Sequence, residues 1–264
     1  MSRFDLSGRI AVVTGGGGTG HGIGRSIALA FADAGADIAL VGRHEKSLLK
    51  VVDEIKERGR RGLAIVADVT NPDDSDRIIA DAVGAFGRVD ILVNSAGGVS
   101  FGKPEEISAR DWNDSIALNL NSTFYCCAAA ARHMIPGGGG RIVNIASSAG
   151  IKGEEFMAPY AASKAAIVNL TRSLAISWSE HHINVNCIAP GSVAVPDHVP
   201  EGMPAEEYEK QQSLGNAEGA TALQLPATPE DIAHAAVFFA SAASELMTGE
   251  TLPVRGAEWA SAYS

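Results

Sequence analysis

Tyr160 and Lys164, in Tyr160-Ala-Ala-Ser-Lys164, stand four residues apart, and Ser147 precedes the tyrosine by thirteen. Residues four apart share one face of a helix, one turn from each other, so a helix here sets an ammonium beside a phenol. Free tyrosine titrates near pKa ~10, so acid-base work near neutrality needs it lowered by about three pH units, roughly 4 kcal/mol. A cation at about 4 Å in a partly desolvated site supplies roughly that much. The spacing therefore predicts a phenol made acidic by its neighbour, able to give or take a proton. Alone, Tyr-x-x-x-Lys is a weak signal. The elements around it must say what it faces.

Those elements alternate. Short β-branched runs at 9–14, 37–41, 63–68, 91–94, 141–147, 184–189 and 251–254 read as strands. Between them lie helical patterns at 24–35 (closed by Gly35), 45–58, 75–86, 109–134, 160–179 and 230–240. Strand-helix alternation predicts an α/β fold: one Rossmann domain over 1–264, a doubly wound parallel sheet with helices on both faces. Only 195–228, rich in Pro, Gly, Glu and Ala, lacks a pattern. Its length suits a substrate lid within the domain.

Strand one leads into Thr14-Gly-Gly-Gly-Gly-Thr-Gly-His-Gly-Ile-Gly24 and then a helix. Glycines at such a turn let the backbone approach a pyrophosphate, whose charge the helix N-terminus favours. Gly15, Gly22, Ile23 and Gly24 are therefore candidate cofactor contacts. After strand two, where an acidic residue would bond the adenosine ribose of NAD, the chain has Gly42-Arg43. A guanidinium pairs with a 2′-phosphate and a carboxylate repels it, so NADP(H) is expected over NAD(H). An Arg43 merely solvated at a helix start also fits.

Composition narrows the classes. The 264 residues carry 31 acidic against 21 basic side chains, a net charge of −10, which argues against a nucleic-acid partner. No apolar run approaches the ~20 residues of a membrane span. The N-terminal segment enters a strand pattern directly, without the long apolar run of a signal peptide. Three cysteines give neither a disulfide framework nor metal spacing; buried thiols in a cytoplasmic protein are expected, with no metal.

Taken in order, these marks resemble the short-chain dehydrogenase/reductase family, including its 3-oxoacyl-reductase-like members, over nearly the whole chain. Asp68-Val69, Asn94-Ser-Ala96-Gly97, Asn119 in Leu118-Asn-Leu-Asn, Ser147 and Pro190-Gly191 fall where that family has its motifs, as do Pro229-Glu-Asp-Ile-Ala233 and Thr248-Gly-Glu-Thr-Leu252. The resemblance implies a catalytic set of Asn119, Ser147, Tyr160 and Lys164. Tyr160 would be the general acid/base, and Lys164 would lower its pKa and bond the nicotinamide ribose. Ser147 would orient the carbonyl, and Asn119 would hold a water linking Lys164 to solvent. Cofactor contacts would come from Asp68, Val69, Asn94, Ala96, Gly97, Tyr160, Lys164, Pro190, Gly191 and Val193. Without the family order, Ser147 also fits a strand-end cap and Asn119 a helix-interior hydrogen bonder.

Three departures stand out. Six residues, 16–21, separate Thr14-Gly15 from Gly22-Ile-Gly24, where the family usually has three. Val195 occupies the position of a threonine that usually bonds the carboxamide. Ile176, Glu180 and His181 offer no evident dock for an acidic acyl carrier. The implied reaction is hydride transfer between NADP(H) and a small ketone or secondary alcohol; a non-redox dehydratase or epimerase and a silent dinucleotide-binding regulator are the rivals. Gly98, Val99, Glu154, Phe156 and Met157, with His198 and Met203 of the lid, are candidate pocket residues. The resemblance also implies a homotetramer or homodimer pairing helices 109–134 and 160–179, which the small residues from Cys126 to Ala131 would let pack closely.

Overall fold

The computed structural model describes residues 2–17, 22–193 and 227–255. Seven strands form one sheet: β1 (Ile10–Thr14), β2 (Asp37–Gly42), β3 (Gly62–Val66), β4 (Ile91–Asn94), β5 (Gly140–Ile145), β6 (Ile183–Pro190) and β7 (Thr251–Val254). Their order is β3-β2-β1-β4-β5-β6-β7, with every neighbouring pair parallel. Eight described α-helices connect them: α1 (Ile23–Asp33), α2 (Glu45–Glu57), α3 (Pro72–Phe86), α4 (Ala109–Ile116), α5 (Ser122–Met134), α6 (Ala149–Lys152), α7 (Ala158–Trp178) and α8 (Pro229–Ala240).

β1 reads Ile-Ala-Val-Val-Thr and is buried throughout, because helices cover both faces of the sheet. Successive side chains serve opposite layers. Val13, Leu40 and Val93 pack under α1, α2 and α8, around Phe31 and Phe239. Val12, Val41 and Leu92 pack under α3, α5 and α7, around Ile79, Cys127 and Met134. Cys126, Cys127, Ala129, Ala130 and Ala131 are buried in this layer of the core. Within the chain α5 packs on α3, with Cys126 Sγ 3.6 Å from Ser75 Oγ.

Among the boundaries that differ from the sequence pattern, three stand out. α3 begins at Pro72, not Ser75: Asn71 caps it, accepting from the Asp73 N–H at 3.1 Å, and proline is tolerated in the first turn. β5 ends at Ile145, which leaves Ser147 in the turn beyond it. The predicted helix over 109–134 is interrupted by a π-helical turn, Ala117–Asn121. No helix among the described residues is long and apolar enough to cross a membrane.

Candidate active site

In a parallel sheet of this order, β1 and β4 lie side by side while their connections run to opposite faces. The loops at their C-terminal ends therefore part and leave a crevice. Thr14 fixes one wall: its Oγ1 accepts from the N–H groups of Ser95 and Ala96, both at 3.1 Å, tying the turn after β4 to the end of β1. Gly15 follows with φ +75°, and a Cβ there would lie 2.8 Å from the Ala96 backbone. A Cβ at Gly24 would lie 2.6 Å from the Gly15 carbonyl oxygen, so α1 packs directly on the turn.

The resulting cleft, about 190 Å³, is lined by Gly15, Gly42, Arg43, Asp68, Ala96 and Gly97, with Val69 and Leu118 behind. Arg43 is exposed at its mouth and makes no ion pair among the described residues. One oxygen of Asp68 accepts from the Thr70 N–H (3.0 Å) and hydroxyl (2.7 Å). At the glycine end, α1 starts at Gly22 with no side-chain cap and no acidic residue in its first turn. By contrast, Asn71, Ser108 and Thr228 cap α3, α4 and α8 with side-chain oxygens. An uncapped N-terminus leaves donor N–H groups and partial positive charge available to an anion.

Other expected contacts lie outside this cleft. Asn94 turns into the sheet: its Nδ2 donates to Asn144 Oδ1 (2.9 Å) and approaches Cys127 Sγ (3.1 Å), so its side chain joins strands. Ile23 packs on the core, as does Val193, which pairs with Ala227. Pro190 and Gly191 anchor the end of β6: the Ser148 N–H donates to the Pro190 carbonyl (2.7 Å), and the Gly191 N–H to the Val254 carbonyl (2.9 Å). Residues 16–17 of the extended glycine loop are described, and 18–21 are not. Val195, His198, Met203 and the rest of the lid to 226 also lie outside the described residues.

Asn119, Ser147, Tyr160 and Lys164 do meet. Lys164 is 5% exposed, donates from Nζ to the Ile145 carbonyl at 2.9 Å, and lies 5.5 Å from the centre of the Tyr160 ring. The Ser147 hydroxyl lies close enough to the phenol to lower its pKa, and it accepts from the Ala149 N–H at 3.2 Å. Asn119 sits in the π turn, fully buried; its Nδ2 donates to the Gly98 (3.0 Å) and Ser115 (3.0 Å) carbonyls, and its Oδ1 accepts from the Gly98 N–H (3.2 Å). Ser122 and Thr123 hydroxyls donate to the carbonyls of Leu118 and Asn119, satisfying groups the π turn loosens. No periodicity signals that turn, and Thr14 and Leu118 were legible only as a strand end and an apolar helix position.

One expectation is corrected. Tyr160 was expected to be acidified by Lys164, yet its pKa lies above the ordinary tyrosine value. Burial raises it, and the Ser147 hydroxyl lowers it by less. Lys164 gives one of its three donors to Ile145, and its own burial pulls its pKa down from 10.5 to about 8. At neutral pH the pair is therefore a neutral phenol beside an ammonium, a ready proton donor.

Gly97 links the two ends of the site. A Cβ there would lie 2.8 Å from Asn119 Oδ1 and 3.3 Å from Lys164 Nζ. Gly97→Ala is expected to displace both side chains and cost roughly a hundredfold in kcat/KM, the scale of an ångström misplacement. Steady-state kinetics beside an unchanged circular-dichroism spectrum would check this; near-wild-type turnover would refute the packing read here.

A β3-β2-β1-β4 parallel sheet with a glycine turn, an open helix N-terminus and a Ser-Tyr-Lys cluster at the crevice defines a dinucleotide-binding α/β enzyme. Comparisons make this specific. A family model described as enoyl-(acyl carrier protein) reductase matches residues 16–256. The 2-dehydro-3-deoxy-D-gluconate 5-dehydrogenase of Escherichia coli (strain K12) is 37% identical over 261 residues, 97% of each chain. A candidate short-chain alcohol dehydrogenase of Sinorhizobium meliloti 1021 superposes with TM-score 0.90 at 35% identity, covering 98% of this chain and 99% of that one. A candidate NAD(P)-dependent gluconate 5-dehydrogenase of Beutenbergia cavernae, solved with NADP at low occupancy, gives 0.86 at 36% identity, covering 97% and 98%. The chain belongs to the short-chain dehydrogenase/reductase family.

Proposed function

We propose that the protein exchanges a hydride between NADP(H) and a secondary alcohol or ketone, with Tyr160 as general acid/base. The observation that carries this is the convergence of Ser147, Tyr160 and Lys164 around a phenol held neutral at physiological pH. Two features fit the dinucleotide: the bare cradle at Gly15, Gly24 and Gly97, which any Cβ would obstruct, and the uncapped start of α1. In this reading Gly15, Gly22, Ile23 and Gly24 hold the pyrophosphate, and Arg43 the 2′-phosphate. Asp68, Val69 and Ala96 hold the adenosine, Lys164 the nicotinamide ribose, and Gly97, Pro190, Gly191 and Val193 border the nicotinamide. Asn94 supports the β4 turn from within the sheet. When bound, the cofactor supplies or accepts the hydride.

The chain's own residues supply the proton and the field. In reduction, the Tyr160 hydroxyl gives its proton to the carbonyl oxygen while Ser147 donates a hydrogen bond to the charge developing there. The Lys164 ammonium steadies the phenolate left behind. Oxidation runs the same proton path backwards and needs the phenolate, which a raised pKa makes scarce near neutrality. Asn119 holds the Gly97–Gly98 turn and, through it, the approach to Lys164. Polyhydroxy acids are the first substrates to try, given the sugar-acid dehydrogenases named above. Glu154 is engaged by Lys152 at 2.8 Å and reads as a surface charge beside the site.

The test is a panel of ketones and alcohols, sugar acids included, followed through NADPH absorbance. A cofactor that binds but never changes oxidation state with any member would defeat the proposal. Arg43→Ser should raise KM for NADPH roughly ten- to a hundredfold, the worth of a charge-assisted phosphate contact, and leave KM for NADH nearly unchanged. Equal effects on both cofactors would return Arg43 to a solvated helix-start residue.

Assembly as a homotetramer or homodimer is part of the same reading. It is supported by Trp112, Phe124 and Ile176 (79% exposed), apolar side chains that α4, α5 and α7 turn to solvent. Cys126, Cys127 and Cys187 are free, buried thiols, which suits a reducing cytoplasm.

A further inference from the structure

At the N-terminal end of the sheet, opposite the nucleotide cleft, a second cavity of about 170 Å³ opens between the starts of β1, β4, β5 and β6. Arg9, Arg88, Arg141, Asp90 and His182 line it, together with the glycine turn before β5. Asp90 is the one carboxylate among the described lining residues, and both of its oxygens are engaged. Oδ2 accepts from the Ile10 N–H at 2.9 Å, while Oδ1 accepts from Arg9 Nη1 at 3.1 Å and from Arg88 Nη2.

Nothing equivalent serves Arg141. Its Nη1 is buried without a hydrogen-bond partner among the described residues. Glu245 acts on it favourably, but that carboxylate is already shared with Arg3 at 3.4 Å; Arg9 acts on it unfavourably, and burial lowers its pKa. Three guanidiniums against one carboxylate leave an excess positive charge here, in a chain whose net charge is −10. A buried donor on a cation is costly to leave unpaired. The turn's own amides are spent: the Gly139 N–H donates to Met134 (2.9 Å) and the Gly140 N–H to His182 (3.2 Å). Gly139 keeps the wall bare, since a Cβ there would lie 2.6 Å from the His182 carbonyl. A ligand is therefore recognised by side chains, the guanidiniums and the His182 ring, rather than by the turn's amides.

We infer that this cavity is a binding site for a small oxyanion of the phosphate class, held by Arg141, Arg88 and Arg9 and separate from the nucleotide cleft. A tetrahedral oxyanion presents several acceptors at once, which suits planar guanidinium forks converging from different strands. Bound there, it would tie together the first residues of β1, β4 and β5 and stabilise the folded chain by mass action.

The experiment is isothermal titration of the full chain with inorganic phosphate and, separately, glycerol phosphate, at constant ionic strength. With the nucleotide cleft filled by saturating NADPH, saturable binding is expected, weakened roughly ten- to a hundredfold by Arg141→Gln and by Arg88→Gln and retained in Arg43→Gln. Arg88 is an exposed side chain, so its replacement tests the site even if Arg141→Gln fails to fold. Equal constants for the two probes would identify a free anion; tighter binding of the ester would identify a ligand carrying a phosphate group. Absence of binding, insensitivity to both cavity variants, or loss in Arg43→Gln alone would overturn the inference, the last by placing the phosphate in the nucleotide cleft.

Discussion

Tyr160→Phe is expected to lower kcat roughly a hundred- to ten-thousandfold, the range for losing a positioned acid/base, while cofactor affinity changes little. The substitution removes one oxygen and keeps the ring. α7 and the Lys164–Ile145 hydrogen bond are then preserved, and what disappears is the proton and the Ser147 contact. The pH profile adds a second readout. Burial holds the phenol above its ordinary pKa, so the acid form dominates at neutral pH and ketone reduction should be flat there. Alcohol oxidation needs the phenolate, so its rate should climb as pH rises from neutrality toward the tyrosine pKa. In the Phe variant that climb should vanish with the activity. Stopped-flow turnover in both directions, paired with fluorescence titration of NADPH, decides the matter. Comparable losses in turnover and cofactor affinity would show that Tyr160 is a binding residue; an unchanged kcat would remove it from the chemistry altogether.

The readable parts of this chain were those where one short-range cause decides the outcome. β1, β2 and β4 were legible because a strand buried on both faces is apolar along nearly its whole length, and Ile10-Ala-Val-Val-Thr14 has few other uses. Lys164 and Tyr160 were legible as a pair because helical geometry fixes their separation. Tertiary effects were not legible. The π turn at 117–121 has no periodic signature; it depends on Ser122 and Thr123 accommodating carbonyls that an α-helix would have paired. Asn94 lies in a recognisable motif, yet its direction is set by Asn144 and Cys127, fifty and thirty-three residues away. The sign of the tyrosine shift is hidden from the sequence for a similar reason. Four-residue spacing predicts proximity to an ammonium, while burial and the competing Ile145 carbonyl are properties of the assembled site.

Lys164→Met is expected to stop turnover and to expose a stability cost that the fold carries for the sake of the site. Burial lowers the Lys164 pKa from 10.5 to about 8, with the nearby Cys187 a smaller influence in the opposite direction. Holding the ammonium in the fold therefore costs about 3 kcal/mol near neutral pH. The unfolded chain keeps this proton up to about 10.5 and the folded chain only up to about 8. Between those values the unfolded state binds more protons, so the contribution of Lys164 makes stability rise with pH. The cost is fully present below about 8 and gone above about 10.5. Methionine fills similar space without charge, but it leaves the Ile145 carbonyl unpaired, a loss of roughly 1–3 kcal/mol. Near neutral pH the variant should therefore match or exceed the wild type in stability. Near pH 10 the wild type should have gained most of about 3 kcal/mol relative to it, because titrating groups that do not interact with Lys164 cancel in the difference. Urea unfolding of both proteins at the two pH values measures this. A difference that stays constant would mean that the Lys164 proton is held equally well in folded and unfolded chains, so that burial does not lower its pKa.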